Sequence, residues 1–405
     1  MSETPGFRPT APAWLTADLV LGALVHAAAA LVGTLAIAAA AFGLFAAGWA
    51  TNPFSSVVAV PAASAFYSLV DLGLGGSVSA VATGPLGDYD ATLHVPLLAL
   101  TAAYLAVVMW WPSRRGSGLV SASHLARWTG AVITGAAFAL AVTLLGLAFA
   151  THFSLPLFGG LISLEGGITP TGVRLFCSAF VLVTLAAGTA RELAVAGGLR
   201  VLWVRIPGYL RELATWGAAA LAVFGAATIT GGLVEITRMF HSFWFALLSL
   251  PTWFGEGTVL LVSFGHLGGA LDYGDIAGFN GIPASWGYAV LVPLAVLVAL
   301  YSGLRIGAGR LGSPPNLIQR AIPVAIVLLA WLIAPYLIVN ASVTVSGSGA
   351  SYGEHLVVAP WTFATVTAFA IGVDAIATWV TPWLQGRAPQ VIAWVQRPRL
   401  GRARR

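Results

Sequence analysis

Apolar residues in this chain come in long continuous runs rather than at the spacing of a half-buried strand or helix. Runs near 19–49, 93–112, 128–152, 172–194, 213–233, 286–304, 321–343 and 358–381 predict eight helical spans. About 20 apolar residues, at about 1.5 Å each, cross a hydrocarbon core of about 30 Å. A ninth stretch, 239–264 (MFHSFWFALLSLPTWFGEGTVLLVSF), is as apolar but is interrupted by Pro251, Gly255, Glu256 and Gly257. The part before Pro251 makes about 18 Å of helix, too short to cross. It reads as a re-entrant or outer-interface segment, with one kinked span as the alternative. The first run is far longer than the roughly 7–15 apolar residues of a cleaved signal, so it is expected to stay as a span.

Arginine placement chooses between these options, because cytoplasmic segments collect basic residues. The chain has 19 basic residues, all of them Arg. With 239–264 not crossing and the N-terminus inside, all but Arg174 and Arg238 fall on the inner side. If 239–264 crossed, the nine arginines from Arg305 onward would lie outside. Most tryptophans fall near predicted span ends, as headgroup-level residues do. Composition agrees. Charged residues are 8% and hydrophobic residues 58% of 405, where a soluble domain has about 25% charged. Mean hydropathy is +0.89. The expected fold is therefore all-α, a polytopic transmembrane bundle of about eight spans plus the broken segment.

The layout repeats at an offset of roughly 190 residues, a pattern known from membrane carriers. In each half, a span leads to a long outer segment, then a span, an Arg-bearing inner turn, a span, a Gly/Ser-rich outer loop and a last span. Asp88-Tyr89-Asp90 precedes His94-Val95-Pro96-Leu97, and Asp272-Tyr273-Gly274-Asp275 precedes Leu291-Val292-Pro293-Leu294. Four spans per half make this a parallel repeat. Chance likeness of apolar helices is the competing explanation. The expected organisation is a cytoplasmic segment 1–18, a first half 19–194, an inner interfacial connector 195–212, a second half 213–381 and a basic tail 382–405. That tail suits anionic lipid or a partner, or is an ordinary positive-inside tail. Net charge is +5, but no aromatic-interleaved basic domain suggests nucleic acid.

Ionisable groups within spans are costly and so are candidates for function. Asp374 lies in the last span with no Arg at helical spacing, so it must be neutral, hydrated or paired with another helix. His26 lies in the first span. Both sit toward the inner side, where a His–Asp pair could relay protons, or simply fix helix packing. Glu235 and Arg238, three apart, share a helix face and suit a local ion pair. Glu165 is a candidate partner for Arg174. Glu256, between two glycines, is read either as lining a cavity or as an exposed loop tip. Asp88, Asp90 and His94 form the densest oxygen and imidazole cluster, but no metal-binding spacing such as HExxH is present. No GxSxG, Walker A or GxGxxG motif occurs. One cysteine, Cys177, excludes an internal disulfide. No catalytic residue, cofactor or metal is expected.

The stretch FALLSLPTWFGEG (Phe245 to Gly257) and the whole-chain layout resemble actinobacterial polytopic membrane proteins, most of all the streptophobe family. The likeness is one of composition and brings no functional residues with it. The sequence thus suggests a non-enzymatic protein of the cytoplasmic membrane with both termini inside, an envelope-assembly or complex component acting with a membrane-protein partner or as a homo-oligomer. A carrier or channel for a small solute or ion is the alternative, and a membrane-embedded enzyme the third reading.

Overall fold

Small residues decide how the first helix packs. Helix α1 (Ala17–Ala50) begins at Thr16, whose hydroxyl oxygen accepts from the Leu19 amide at 3.3 Å, satisfying one orphan donor. It buries Ala23, Ala27, Ala30, Thr34, Ala38 and Ala41, at steps of three and four residues. Leu21 and Val32 point outward, 62% and 68% exposed. Large apolar residues outside and small ones inside suit helices packed in lipid, where close approach holds them together. The computed structural model describes residues 16–52, 62–84, 87–93, 96–114, 123–149, 151–157, 162–170, 172–196, 207–268, 270–272, 284–312, 314–337, 340–347, 350–358 and 361–396.

Two rings of four helices make up the apolar body. In the first, α1 touches α3 (Leu98–Arg114) and α4 (His124–Ala148), and α5 (Gly172–Val195) touches the same two. Tyr104, Phe138, Val142, Leu175 and Val183 fill its centre. In the second, α6 (Gly208–Phe240) touches α9 (Ala284–Arg310) and α10 (Leu317–Leu337), and α11 (Thr362–Ala375) touches both of these again. Phe224, Ala295, Val298, Val366 and Val373 lie at its centre.

Each predicted apolar run overlaps one of these helices, but the ends at 93, 151–152, 340–343 and 358 belong to strands. Among the described residues six helices are long and apolar enough to cross a membrane: α1, α4, α5, α6, α9 and the run Thr362–Arg387. The apolar parts of α3 and α10, Leu98–Trp110 and Leu317–Leu332, are shorter.

The broken segment became two helices, α7 (Phe243–Leu248) and α8 (Leu250–Gly265). The breaks fall at His241, with φ 52°, and at Ser249, not at the Gly-Glu-Gly triplet. Pro251 occupies the first turn of α8, where its missing N–H costs nothing. Helix α7 packs on α1, and α8 on α3, α6 and α9, so this segment joins the rings.

A second short helix, α2 (Ala62–Gly73), ends as α8 does. Gly75 and Leu267 both have positive φ, 79° and 60°. The next amides, of Gly76 and Gly268, bond back to Asp71 and Ser263 carbonyls at 2.9 and 2.8 Å, a left-handed cap that closes the helix. The sequences leading into it correspond: Leu69-Val70-Asp71-Leu72-Gly73 and Leu261-Val262-Ser263-Phe264-Gly265. Gly73 stands against Leu100 and Tyr104 of α3, and Gly265 against Phe224 and the Leu291 carbonyl of α9. Each short helix thus runs back beside the next long one and stops within about 10 Å of its start.

Strands were not expected, and two antiparallel sheets cover the end opposite the arginines. Strands β1 (Val78–Gly84), β2 (Gly87–Leu93), β3 (Thr151–Leu157) and β4 (Ile162–Pro170) lie in the order β2-β1-β4-β3. Strands β5 (Ala270–Asp272), β6 (Asn340–Gly347) and β7 (Ala350–Val358) lie in the order β5-β7-β6. Val78 pairs with Pro170, and Ala270 with Val358. In both sheets, the strand after the short helix pairs with the second strand of the later hairpin. Strand β2 runs beside β6, bringing the sheets together.

After α11 the chain forms one π turn, Ile376–Val380, then α12 (Thr381–Arg387) and α13 (Pro389–Gln396). Gly303 and Gly307 let α9 approach this turn: a β-carbon on Gly307 would lie 2.6 Å from the Ala377 carbonyl. Part of the basic tail, 382–396, is therefore helical. Arg305 Nη1 donates to the Val395 carbonyl at 2.8 Å, fixing α13 to α9. The arginines from Arg397 onward, and residues 197–206 of the connector, lie outside the described residues.

Candidate functional site

The arginine-rich end of the second ring holds a connected chain of four charged side chains. Arg310, at the last turn of α9, places Nε and Nη2 each 2.7 Å from the two carboxylate oxygens of Glu212 on α6. Its Nη1 donates to Asp374 Oδ1 on α11 at 2.7 Å. Arg320, in the first turn of α10, donates through Nε and Nη2 to Asp374 Oδ2 at 3.0 and 2.7 Å. Four helices thus meet through two cations and two anions, with no net charge. The fork of a guanidinium matches a carboxylate in this bidentate way. Side-chain exposure is 10% for Arg310 and 18% for Asp374, so the network is largely screened from water.

Asp374 is therefore paired with other helices, one of the options open for it. The arginines flanking the α9–α10 turn were assigned to the water side by the positive-inside rule. Their long stems turn back instead and reach a carboxylate inside the ring. Glu212 was missed too, because it was placed in the connector. Helix α6 begins at Gly208, so Glu212 stands in its second turn.

Two cavities share Glu212 and Arg310 in their lining. An open cleft of about 650 Å³ is lined by Tyr209, Arg211, Glu212, Thr215, Arg305 and Arg310, among others. A cavity of about 30 Å³, room for water, is lined by Glu212, Arg310, Arg320, Val327, Ala370 and Asp374, with Trp216 at its side. Glu212, Ile306 and Arg310 face both. The Glu212–Arg310 pair thus stands where the cleft and the smaller pocket adjoin.

The first ring closes the same end differently. Arg127 of α4 forms two 3.0 Å hydrogen bonds with Glu192 of α5, and His124 Nδ1 lies 2.9 Å from Glu192. Arg191, only 2% exposed, donates to the Arg127 carbonyl at 3.1 Å and to Thr134 Oγ1 at 2.8 Å. It also lies 3.4 Å from His26 Nδ1. His26 Nε2 stands 2.9 Å from the Val108 carbonyl. His26 and Asp374 are not brought together: each finds its partners in its own ring. Gly130 leaves the space that Arg191 fills, since a β-carbon there would stand 2.8 Å from Nη1.

Glu256 is neither in a turn nor at an exposed loop tip. It is 8% exposed, inside α8, and its Oε1 accepts from the Leu98 amide at 2.6 Å. It caps α3 of the other ring. The flanking glycines allow the approach: a β-carbon on Gly255 would meet Leu98 Cβ at 2.6 Å, and one on Gly257 would meet Thr228 at 2.8 Å. Glu235 and Arg238 are both exposed on α6, and no ion pair among the described residues joins them. Arg174 donates through Nε to the Gly75 carbonyl at 3.4 Å. The side chains of Glu165, Asp88, Asp90 and His94 lie outside the described residues. Among the described residues no group of three or more His, Cys, Asp or Glu side chains could hold a metal ion. No known family, curated protein or solved structure matches the chain.

Proposed function

We propose that the protein is a carrier of the cytoplasmic membrane, built from two parallel halves, with its arginine-rich end inside. The Glu212–Arg310–Asp374–Arg320 network is its inner gate. One observation carries this reading: the Glu212–Arg310 pair lines both the cleft of about 650 Å³ and a smaller pocket of about 30 Å³ beside it. A pair used only for stability has no need to line two spaces. Ionisable groups inside a membrane bundle line solute paths when they are not merely structural.

Duplication supports the carrier reading, since many carriers are built from repeats. The two rings share one pattern of neighbours, the short helices α2 and α8 end in the same cap, and the sheets share one pairing scheme. Each ring also ties the first turn of its third long helix to its fourth, through Arg127–Glu192 and Arg320–Asp374.

The test is accessibility. Ala370→Cys, in a Cys177→Ala background, places a thiol in the smaller pocket, behind the Glu212–Arg310 pair. A small water-soluble thiol reagent should reach it slowly in the parent and at least tenfold faster when Glu212→Gln breaks the pair. Equal, slow labelling in both folded proteins would overturn the gate.

A second reading, envelope assembly, draws on the joined sheets. Strands β3 and β5 each pair on one side only, and a sheet edge can accept a strand from another protein. That reading predicts a co-purifying partner that is lost when the β3–β4 hairpin is shortened, with cavity labelling unaffected. Both readings are non-enzymatic.

A further inference from the structure

We infer that the 650 Å³ cleft is a binding site for a phosphate-bearing anion. The inference rests on the carrier reading for its biological role and names what the inner mouth holds. The cleft's size falls in the range of small-molecule sites, about 300–1,000 Å³. Three arginines line it, Arg211, Arg305 and Arg310, against one carboxylate, Glu212. Arg310 engages both oxygens of Glu212. Among the described residues no second carboxylate lines the cleft to balance Arg211 and Arg305.

The backbone adds donors of the same sign. Helix α6 starts at the cleft, and Gly208 and Tyr209 line it. Its N-cap is Pro207, which makes no side-chain cap hydrogen bond. The first bonds back to Pro207 come from Leu210 and Arg211, and among the described residues no acceptor takes the Gly208 and Tyr209 amides. Nothing within 4 Å crowds a β-carbon built on Gly208. A 33-residue helix brings its positive dipole end here. Exposed amides at a helix start, two guanidinium groups and the Tyr209 hydroxyl are donors matched to a tetrahedral oxyanion, while the Thr215 hydroxyl donates to the Arg211 carbonyl.

Two sources offer that chemistry, a free phosphate or phosphate ester and the headgroup of an anionic phospholipid. Purified full-length protein would be placed in phosphatidylcholine nanodiscs and its thermal stability followed with sodium phosphate, against sodium chloride at equal ionic strength. A parallel sample would carry phosphatidylglycerol in the disc. Stabilisation by phosphate assigns a soluble ligand, and stabilisation by phosphatidylglycerol alone assigns a lipid headgroup. Arg211→Gln, an exposed position, should weaken either response at least tenfold in apparent affinity. Gly208→Pro removes one amide donor while keeping a residue suited to the first helical position; it should weaken the response severalfold. No response beyond chloride, or a response unchanged in folded Arg211→Gln, would overturn the site. Neither result alters the cavity labelling of Ala370→Cys, so the gate and the ligand fail separately.

Discussion

Asp374→Asn is the sharpest perturbation of the network. The carboxylate accepts three hydrogen bonds from two arginines. Replacement keeps the shape and removes one charge, turning a neutral set of four into one with net charge +1. Fully buried pairs lose about 3–5 kcal/mol when one partner goes, and exposed pairs lose about 0–1. At 18% exposure Asp374 stands nearer the buried limit, so a loss of about 2–3 kcal/mol is expected. Most of it comes from the charge left behind, so Asp374→Asn with Arg320→Gln should recover about 1–2 kcal/mol, the coupling of residues in one network. Denaturant unfolding of the purified protein in mild detergent, followed by circular dichroism, reads both values. A single-variant loss under about 0.5 kcal/mol, or a double variant no more stable than the single, would refute the argument.

Glu256→Ala should cost about 1–2 kcal/mol, the worth of a helix cap. Because Glu256 joins the rings, unfolding of this variant should also lose cooperativity between them. Gly307→Ala should be strongly destabilising, since its β-carbon would lie 2.3 Å from Thr381 Oγ1, while Gly309→Ala, with nothing within 4 Å, should be neutral or slightly stabilising in the same assay. Leu267→Gly should stabilise by about 1 kcal/mol, because a branched side chain is held at φ 60°. Asp71 lies on α2, outside the six long apolar helices, where burial pushes its pKa up to about 7 against the opposing pull of Arg174 and the Ser77 amide. A raised acid pKa means the native state keeps its proton longer than the unfolded chain. Stability from this group is then full below about pH 4 and falls as pH rises toward 7, by at most about 4 kcal/mol. Asp71→Asn should flatten that slope in pH-dependent melting curves.

The spans were legible because lipid imposes one strong rule, long apolar runs with internal hydrogen bonding. The broken segment was legible in part. Pro251 and the placement of the arginines pointed away from a full crossing, but Gly255 and Gly257 were read as breakers when they serve close helix contact, which depends on Leu98 and Thr228 elsewhere in the chain. Strands β6 and β7 were hidden by Ser and Gly, whose local preference is for loops; they pair with each other along their length, and β7 also with distant β5. Asp374 stood out as a lone carboxylate among apolar residues. Its partners did not, because Arg310 and Arg320 looked like ordinary inner-face arginines, and only the ring places all three at one level. The same holds for Arg191, whose burial depends on space left by Gly130.

The gate itself is tested most directly by a distance. Spin labels at Gly208→Cys on α6 and Ile318→Cys on α10, in a Cys177→Ala background, report across the mouth of the cleft from two exposed positions. A single narrow distance distribution in the parent, joined in Glu212→Gln by a second, longer population, is the expected result. One unchanged distribution in both proteins would mean that the network is a fixed strut, and the carrier account would be wrong.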